Sequence, residues 1–355
     1  MPNRRAFLAG LLATGLAPRR TWAEAGNPAF LSAAKTPDGD YCLCGLTRTG
    51  KIAFQRPLPA RGHAAAAHPH LAQAVAFARR PGTFAIVLDC VTGTEMTRLT
   101  APQGRHFYGH GTFSADGDLL FTTENAYDSA RGMIGVWDVR AGYTRVAEFS
   151  SGGIGPHDIK LMPDGDSLVV ANGGIETHPE TGRTKLNLPT MRANLTYLAL
   201  AGHIREQIAL PPEHQKNSIR HLSVARNGAV GFAMQWQGDL TNDLPLLGLH
   251  HRDTGTLHLA HEAHVRQMNG YLGSVALSGD GRTLATTSPR RGRMQVFRDM
   301  TLIDERALPD VCGVAATADG FVVTTGTGLV RNTSGHDQQH ALAWDNHLIP
   351  LPVGL

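Results

Sequence analysis

Short apolar strands alternate with one recurring turn along most of the chain. The clearest unit reads Phe113-Ser114-Ala115-Asp116-Gly117-Asp118-Leu119-Leu120-Phe121-Thr122-Thr123. It returns from Leu161 through Pro163-Asp164-Gly165 to Ala171, and again from Leu277 through Gly279-Asp280-Gly281 to Thr287. Weaker copies centre on Asp38-Gly39, Asn227-Gly228 and Asp319-Gly320, and a degenerate one runs from Ala64 past Pro69 to Ala78. Asp-Gly or Asn-Gly between apolar runs predicts a β-hairpin, on the ground that both turn positions need φ > 0. Two more strands usually follow, most clearly Gly132 to Asp138 and Thr144 to Phe149. The turns near 38, 69, 116, 164, 227, 280 and 319 therefore mark seven units of four strands, at roughly the 40–50-residue spacing of a propeller blade. The prediction is an all-β fold, a seven-bladed β-propeller of the WD40/YVTN-like kind. A β-sandwich with a second domain would leave the recurrence unexplained, and no Pro- or Gly-rich linker divides the chain.

The first residues follow another pattern. Asn3-Arg4-Arg5-Ala6-Phe7-Leu8 carries paired arginines, a short apolar run extends to Ala17, and Thr21-Trp22-Ala23 offers small residues at a cleavage site. This order is that of an export signal, and the twin arginine points to the Tat route. Residues 1–23 are therefore expected to be a Tat signal peptide, with one propeller domain over 24–355 in the periplasm. The apolar run is too short for a membrane span of ~18–20 residues, and the mature chain is expected to have no span.

Export changes the charge. Arg4, Arg5, Arg19 and Arg20 would leave with the signal, and 33 basic residues less these four leaves 29 against 30 acidic. The mature chain then has no basic excess with which to bind nucleic acid, and it is expected to be a monomer. An oxidising compartment permits disulfides, but Cys42 and Cys44 stand two apart on one predicted strand, a poor geometry for bridging each other. The simplest reading of Cys42, Cys44, Cys90 and Cys312 is as small buried apolar residues, with a bridge to a neighbouring strand left open.

The repeat also sorts the polar residues. Six residues before each turn stand Ser32, His63, His110, Asp158, His221, Ser274 and Gly313, with His157 beside Asp158. About eight residues after the turns stand Arg79, Glu124, Asn172 and Gln235. In a propeller both positions lie near one end of the central channel, and the longest insertions, such as 173–194 and 236–245, should rise over it. The expected ligand-binding residues are His63, Arg79, His106, His110, Glu124, His157, Asp158, Asn172, His178, His221, Gln235 and Arg290. Imidazole suits Fe, Cu or Zn and a carboxylate can complete a site, so His110, His157, His221 and Glu124 are the candidate metal ligands. The alternative is that such histidines are hydrogen-bonded girders between blades. His250-His251, His258, His261 and His264 fall in outer strands and read as solvated surface. There is no G-x-S-x-G elbow, C-x-x-C-H haem site or P-loop.

Several runs resemble a known family. They are Arg105-His106-Phe107-Tyr108-Gly109-His110-Gly111, Gly153-Ile154-Gly155-Pro156-His157-Asp158, Ala171-Asn172-Gly173-Gly174-Ile175-Glu176-Thr177-His178-Pro179, Lys185-Leu186-Asn187-Leu188, Ser218-Ile219-Arg220-His221-Leu222 and Asp310-Val311-Cys312-Gly313-Val314. They look like the domain of unknown function 1513 family over nearly the whole mature chain. Ala64 stands where that family tends to have Gly. The resemblance implies a periplasmic, Tat-exported propeller encoded near imelysin-like iron-regulated and di-haem peroxidase-like proteins, hence a part in iron acquisition or handling with those proteins as partners. It carries over no catalytic residue. Three functions follow as expectations: ligand, metal or partner binding at the histidine-rich channel mouth; a metal-dependent oxidoreductase or lyase using the same mouth; and a protein-interaction scaffold.

Overall fold

The computed structural model describes residues 20–79, 83–241, 244–260, 267–333 and 335–351. Most of the expected signal peptide, residues 1–19, lies outside the described residues, as do His261 and His264. Among the described residues no helix is long and apolar enough to cross a membrane.

Seven antiparallel sheets follow one another along the chain and form seven blades. Blades 2 to 7 each take four consecutive strands, with inner strands Gly62–Ala67, Arg105–Phe113, Pro156–Leu161, Asn217–Val224, Ser274–Leu277 and Val311–Thr317. Blade 1 is built from both ends of the chain. Phe30–Lys35, Tyr41–Leu46 and Ile52–Leu58 are its outer three strands, and the C-terminal pieces Ala343–Trp344 and Ile349–Pro350 pair with Phe30–Lys35 on the inside. The ring is closed by these hydrogen bonds.

That closure corrects the first repeat. The Asp38-Gly39 turn joins the second and third strands of its blade, not the first and second. It therefore lies at the opposite end of the channel from the other six turns. Lys35 and Tyr41 beside it share a cavity with Arg61, Gly62 and Asp345.

The turns themselves differ in detail from the expectation. Only the glycine takes positive φ, +78° at Gly117 and +71° at Gly165, while the preceding Asp does not. Asp116 instead uses its carboxylate: Oδ1 accepts the backbone N–H of Asp118 and the hydroxyl of Ser114. The motif is an Asx-type turn, which explains why Ser and Asp recur ahead of the glycine.

The apolar core lies between blades. One buried cluster occupies each of the seven blade–blade interfaces, such as Phe77, Phe107, Phe113 and Trp137 between blades 2 and 3 and Cys42, Cys44, Val322 and Trp344 between blades 1 and 7. Each blade thus buries both faces, and the near-continuous apolar strands such as Leu168-Val169-Val170-Ala171 follow from that. All four cysteines are free and buried, with Cys42 Sγ 3.7 Å from Cys44 Sγ. The chain ahead of blade 1 also docks. Trp22 is buried, its indole N–H donates to the carbonyl of His68 at 2.8 Å, and Arg20 pairs with Asp89 at 2.9 Å. Residues 20–23, expected within the signal peptide, are thus part of the packed structure.

Candidate metal centre in the central channel

Five of the seven inner strands share one irregularity at one level. Their register with the second strand slips between Gly62 and Ala65, Phe107 and Gly111, Pro156 and Asp158, Ile219 and His221, and Val311 and Val314. Blade 1 breaks at the same level, between Trp344 and Ile349. A β-bulge re-aims the side chain it carries. Here the slips bring His63, His110, His157, His221 and His347 together in the channel. Neighbouring ring centroids are 4.5 Å apart for His63 and His347, 4.8 Å for His157 and His221, 4.9 Å for His63 and His110, and 5.0 Å for His110 and His157. Blades 6 and 7 place Ser274 and Cys312 at this level instead.

His347 is the member missed by sequence. The six-residue count used the turn after an inner strand as its marker, and the inner strand of blade 1 runs into the C-terminus with no such turn. Two signals could have found it. Residues 30–58 supply one strand too few for a blade, and Trp344 to Leu351 form an unassigned apolar segment.

Burial sets the chemistry of the cluster. His110, His221 and His347 are buried, and His63 and His157 partly so. Desolvation, reinforced by neighbouring imidazoles and by Arg79, Arg220 or Lys160, holds His63, His157 and His347 well below the usual histidine range and His221 at about 3. All four are neutral near pH 7 and keep a nitrogen lone pair. Nδ1 of His63, His157 and His221 and Nε2 of His347 have no hydrogen-bond partner among the described residues. Buried polar atoms are nearly always satisfied, so four orphaned nitrogens on clustered imidazoles point to a missing partner.

Asp158 serves the cluster from behind. One carboxylate oxygen lies 3.1 Å from His110 Nδ1 and 2.9 Å from Lys160 Nζ, and the backbone N–H groups of Ile159 and Leu222 donate at 2.8 and 3.0 Å. Burial alone would raise this carboxyl; Lys160 and His110 outweigh burial and hold it well below the usual carboxylate range. His110 Nε2 then faces His63 Nε2 at 3.3 Å. Among the described residues, two groups of three can present ligand atoms within 4.8 Å of one another: His63, His110 and His347, and His110, His157 and His221. Imidazole nitrogens at ~2.0–2.1 Å from an ion stand a little over 3 Å apart, so the His63–His110 separation already suits a shared ion.

The remaining candidates lie elsewhere. Glu124, expected to complete a metal site, is fully buried in blade 3 and held by Arg145 at 2.6 and 3.0 Å, with Arg105 at 3.6 Å. It sits on the second strand with its carboxylate turned outward to these arginines, so the structure does not bring it to the histidines. Asn172 is tied to Ser151, Asn194 and Thr196 inside blade 4. Gln235 donates to the carbonyl of Leu272, Arg290 stacks on Tyr271 at 4.2 Å, and Arg79 pairs with Asp345 at 2.9 Å. His106 stacks on Tyr127, against which His178 packs edge-on, and His178 Nε2 lies 3.3 Å from Asp128. His250, read as surface, is fully buried and bonded to the Tyr197 hydroxyl at 2.7 Å.

Access also differs from the expectation of a mouth under the long loops. A cavity of about 960 Å³ reaches His221, His347, Asp158 and Lys160 at one end and the hairpin turns at Gly279-Asp280 and Ala318 at the other. The turn residues are exposed, so this route opens on the face opposite the long loops.

Fold and site together define a seven-bladed β-propeller with an imidazole cluster in its channel. The chain belongs to the family described as protein of unknown function (DUF1513), whose model matches residues 56–351. Among solved structures it is similar to the hydrazine synthase of Kuenenia stuttgartiensis, at 14% identity and a TM-score of 0.62, over 92% of this chain and 96% of that one. At that identity the likeness is one of fold. No curated protein sequence matches the chain.

Proposed function

We propose that this chain is an exported, metal-handling propeller whose channel cluster binds a transition-metal ion through neutral imidazoles. The observation that carries this reading is the convergence of five histidines with four unpartnered nitrogens, backed by a carboxylate that orients one of them. A carboxylate behind a ligating histidine fixes its tautomer and raises its basicity. Imidazole suits copper, zinc, nickel and ferrous iron. The two ligand groups hold no carboxylate, which disfavours a hard ferric ion. An iron-handling role, with imelysin-like or di-haem partners in the periplasm, rests on the family resemblance and the twin-arginine start; within it the cluster fits the ferrous state. A second reading, metal-assisted redox or lyase chemistry, is favoured by the cavity beside the cluster, because three protein ligands leave a coordination position open.

The test is elemental analysis of the full chain expressed with its own N-terminus, followed by titration of the metal-free protein with Fe(II), Cu(I) and Zn(II). A variant carrying His110→Ala, His157→Ala and His221→Ala, shown to be folded by circular dichroism, is the control. Stoichiometric metal that the folded variant loses supports the reading. No uptake of any of these ions by the native chain would sink it.

A further inference from the structure

We infer that the cluster offers a single ion two overlapping positions, with His110 as the ligand common to both. The inference rests on the reading that the cluster binds metal. One position is formed by His63, His110 and His347, the other by His110, His157 and His221.

The argument turns on how many lone pairs His110 can give. Its Nδ1 lies 3.1 Å from Asp158. That carboxylate already receives Ile159 N–H, Leu222 N–H and the Lys160 ammonium, and an ionised carboxylate only accepts. Nδ1 therefore keeps its proton, and His110 can ligate through Nε2 alone. One nitrogen serves one ion, so the two positions exclude each other wherever His110 is bound.

Charge gives the same answer. Two divalent ions a few ångströms apart need anionic ligands between them, and neither group contains a carboxylate. The one acidic group at hand, Asp158, is spent on Lys160 and His110. Among the described residues, ligand atoms all within 4.8 Å of one another occur in each group of three and not in the five together. His63 and His157, one from each group, have ring centroids 5.7 Å apart, while His347 and His221, also one from each, approach to 4.9 Å, so the two positions adjoin.

An ion can then cross the channel by exchanging two ligands while His110 stays bound. At no point does it need to leave the protein. His347 from one group and His221 from the other both line the cavity, so each position can be reached from the hairpin-turn face. Such a shared ligand suits a protein that takes up an ion and passes it on.

The experiment titrates the metal-free full chain with Co(II), with stoichiometry from elemental analysis, affinity from competition with a chelating dye, and ligand-field spectra. Three variants are compared: His63→Gln with His347→Gln, His157→Gln with His221→Gln, and His110→Ala. Gln retains polar bulk in the channel, and circular dichroism checks each fold; His110→Gln stands in should the alanine variant unfold. The expected result is one ion per native chain, one ion in each paired variant at an affinity within about 10-fold of native, distinct spectra for the two, and a loss of about 100-fold on replacing His110. Two ions per native chain would overturn the inference. So would a paired variant that loses binding as fully as the His110 variant, since that describes one site of four or five ligands. Failure of the native chain to take up cobalt, iron, copper or zinc would instead overturn metal binding itself.

Discussion

Asp158 and His110, on neighbouring blades, meet at 3.1 Å with both side chains out of solvent. The carboxylate can only accept, so it holds the proton on His110 Nδ1 and leaves Nε2 for the channel. Asp158→Asn breaks that rule, because an amide N–H can donate to Nδ1 and drive the proton to Nε2. The expected outcome is a folded protein whose metal affinity falls about 10–100-fold. Competition titration beside the native chain checks it, and unchanged affinity would remove Asp158 from any role in orienting the ligand.

The overall fold was legible in the sequence because the turn chemistry is local. Ser114, Asp116 and Gly117 need only each other and two flanking strands to form their hairpin, and the same residues do so again at 278–281. The candidate site was legible only where a histidine precedes such a turn. His63, His110, His157 and His221 do; His347 lies in the segment that closes the ring, and closure is a long-range pairing with no local mark. Glu124 failed for a related reason. Counting along a strand gives a residue's height in the channel but not its side of the sheet, and Glu124 points to Arg145. His250 was misjudged because an outer strand of one blade is covered by Tyr197 of the preceding blade.

Glu124 should accordingly matter for stability and not for metal. Its carboxylate is fully buried and accepts from Arg145 and Thr122. Arg145 and Arg105 keep Glu148 as a partner, so loss of the Glu124 charge leaves buried hydrogen-bonding groups poorly matched, at a cost of about 1–3 kcal/mol. Glu124→Gln is expected to lower stability by an amount in that range in urea unfolding, while metal affinity stays within about threefold. A large loss of metal with intact stability would return Glu124 to the site.

Acid should unfold the protein early. Burial holds His250 at about 4 and His221 at about 3 in the folded state, against about 6.5 for an unfolded chain. A depressed histidine pKa means that the unfolded state binds the proton first, so the contribution is complete above about pH 6.5 and is lost as pH falls toward 4. For His250 alone this amounts to about 3 kcal/mol, and the channel histidines add to it. Urea midpoints of the metal-free protein between pH 7 and 4 should therefore fall steeply. His250→Gln, which can still bond the Tyr197 hydroxyl, should make the slope shallower; an identical slope would show that His250 is protonated without penalty.

The last prediction concerns where the folded domain starts. Trp22 is 3% exposed, joins the core cluster between blades 1 and 2, and donates its indole N–H to the carbonyl of His68. Arg20 adds an ion pair to Asp89, and its carbonyl accepts the N–H of Ala72. Losing a buried Trp side chain costs about 3–5 kcal/mol, and a cut after Ala23 removes it along with both Arg20 contacts. A chain starting at Arg20 is therefore expected to melt several degrees above one starting at Glu24, and Trp22→Ala in the longer chain should recover most of the difference. Mass spectrometry of the protein recovered from cells then tells which form is made. Equal melting temperatures for the two chains would mean that the Trp22 anchor adds nothing to stability, and that cleavage after Ala23 costs the propeller nothing.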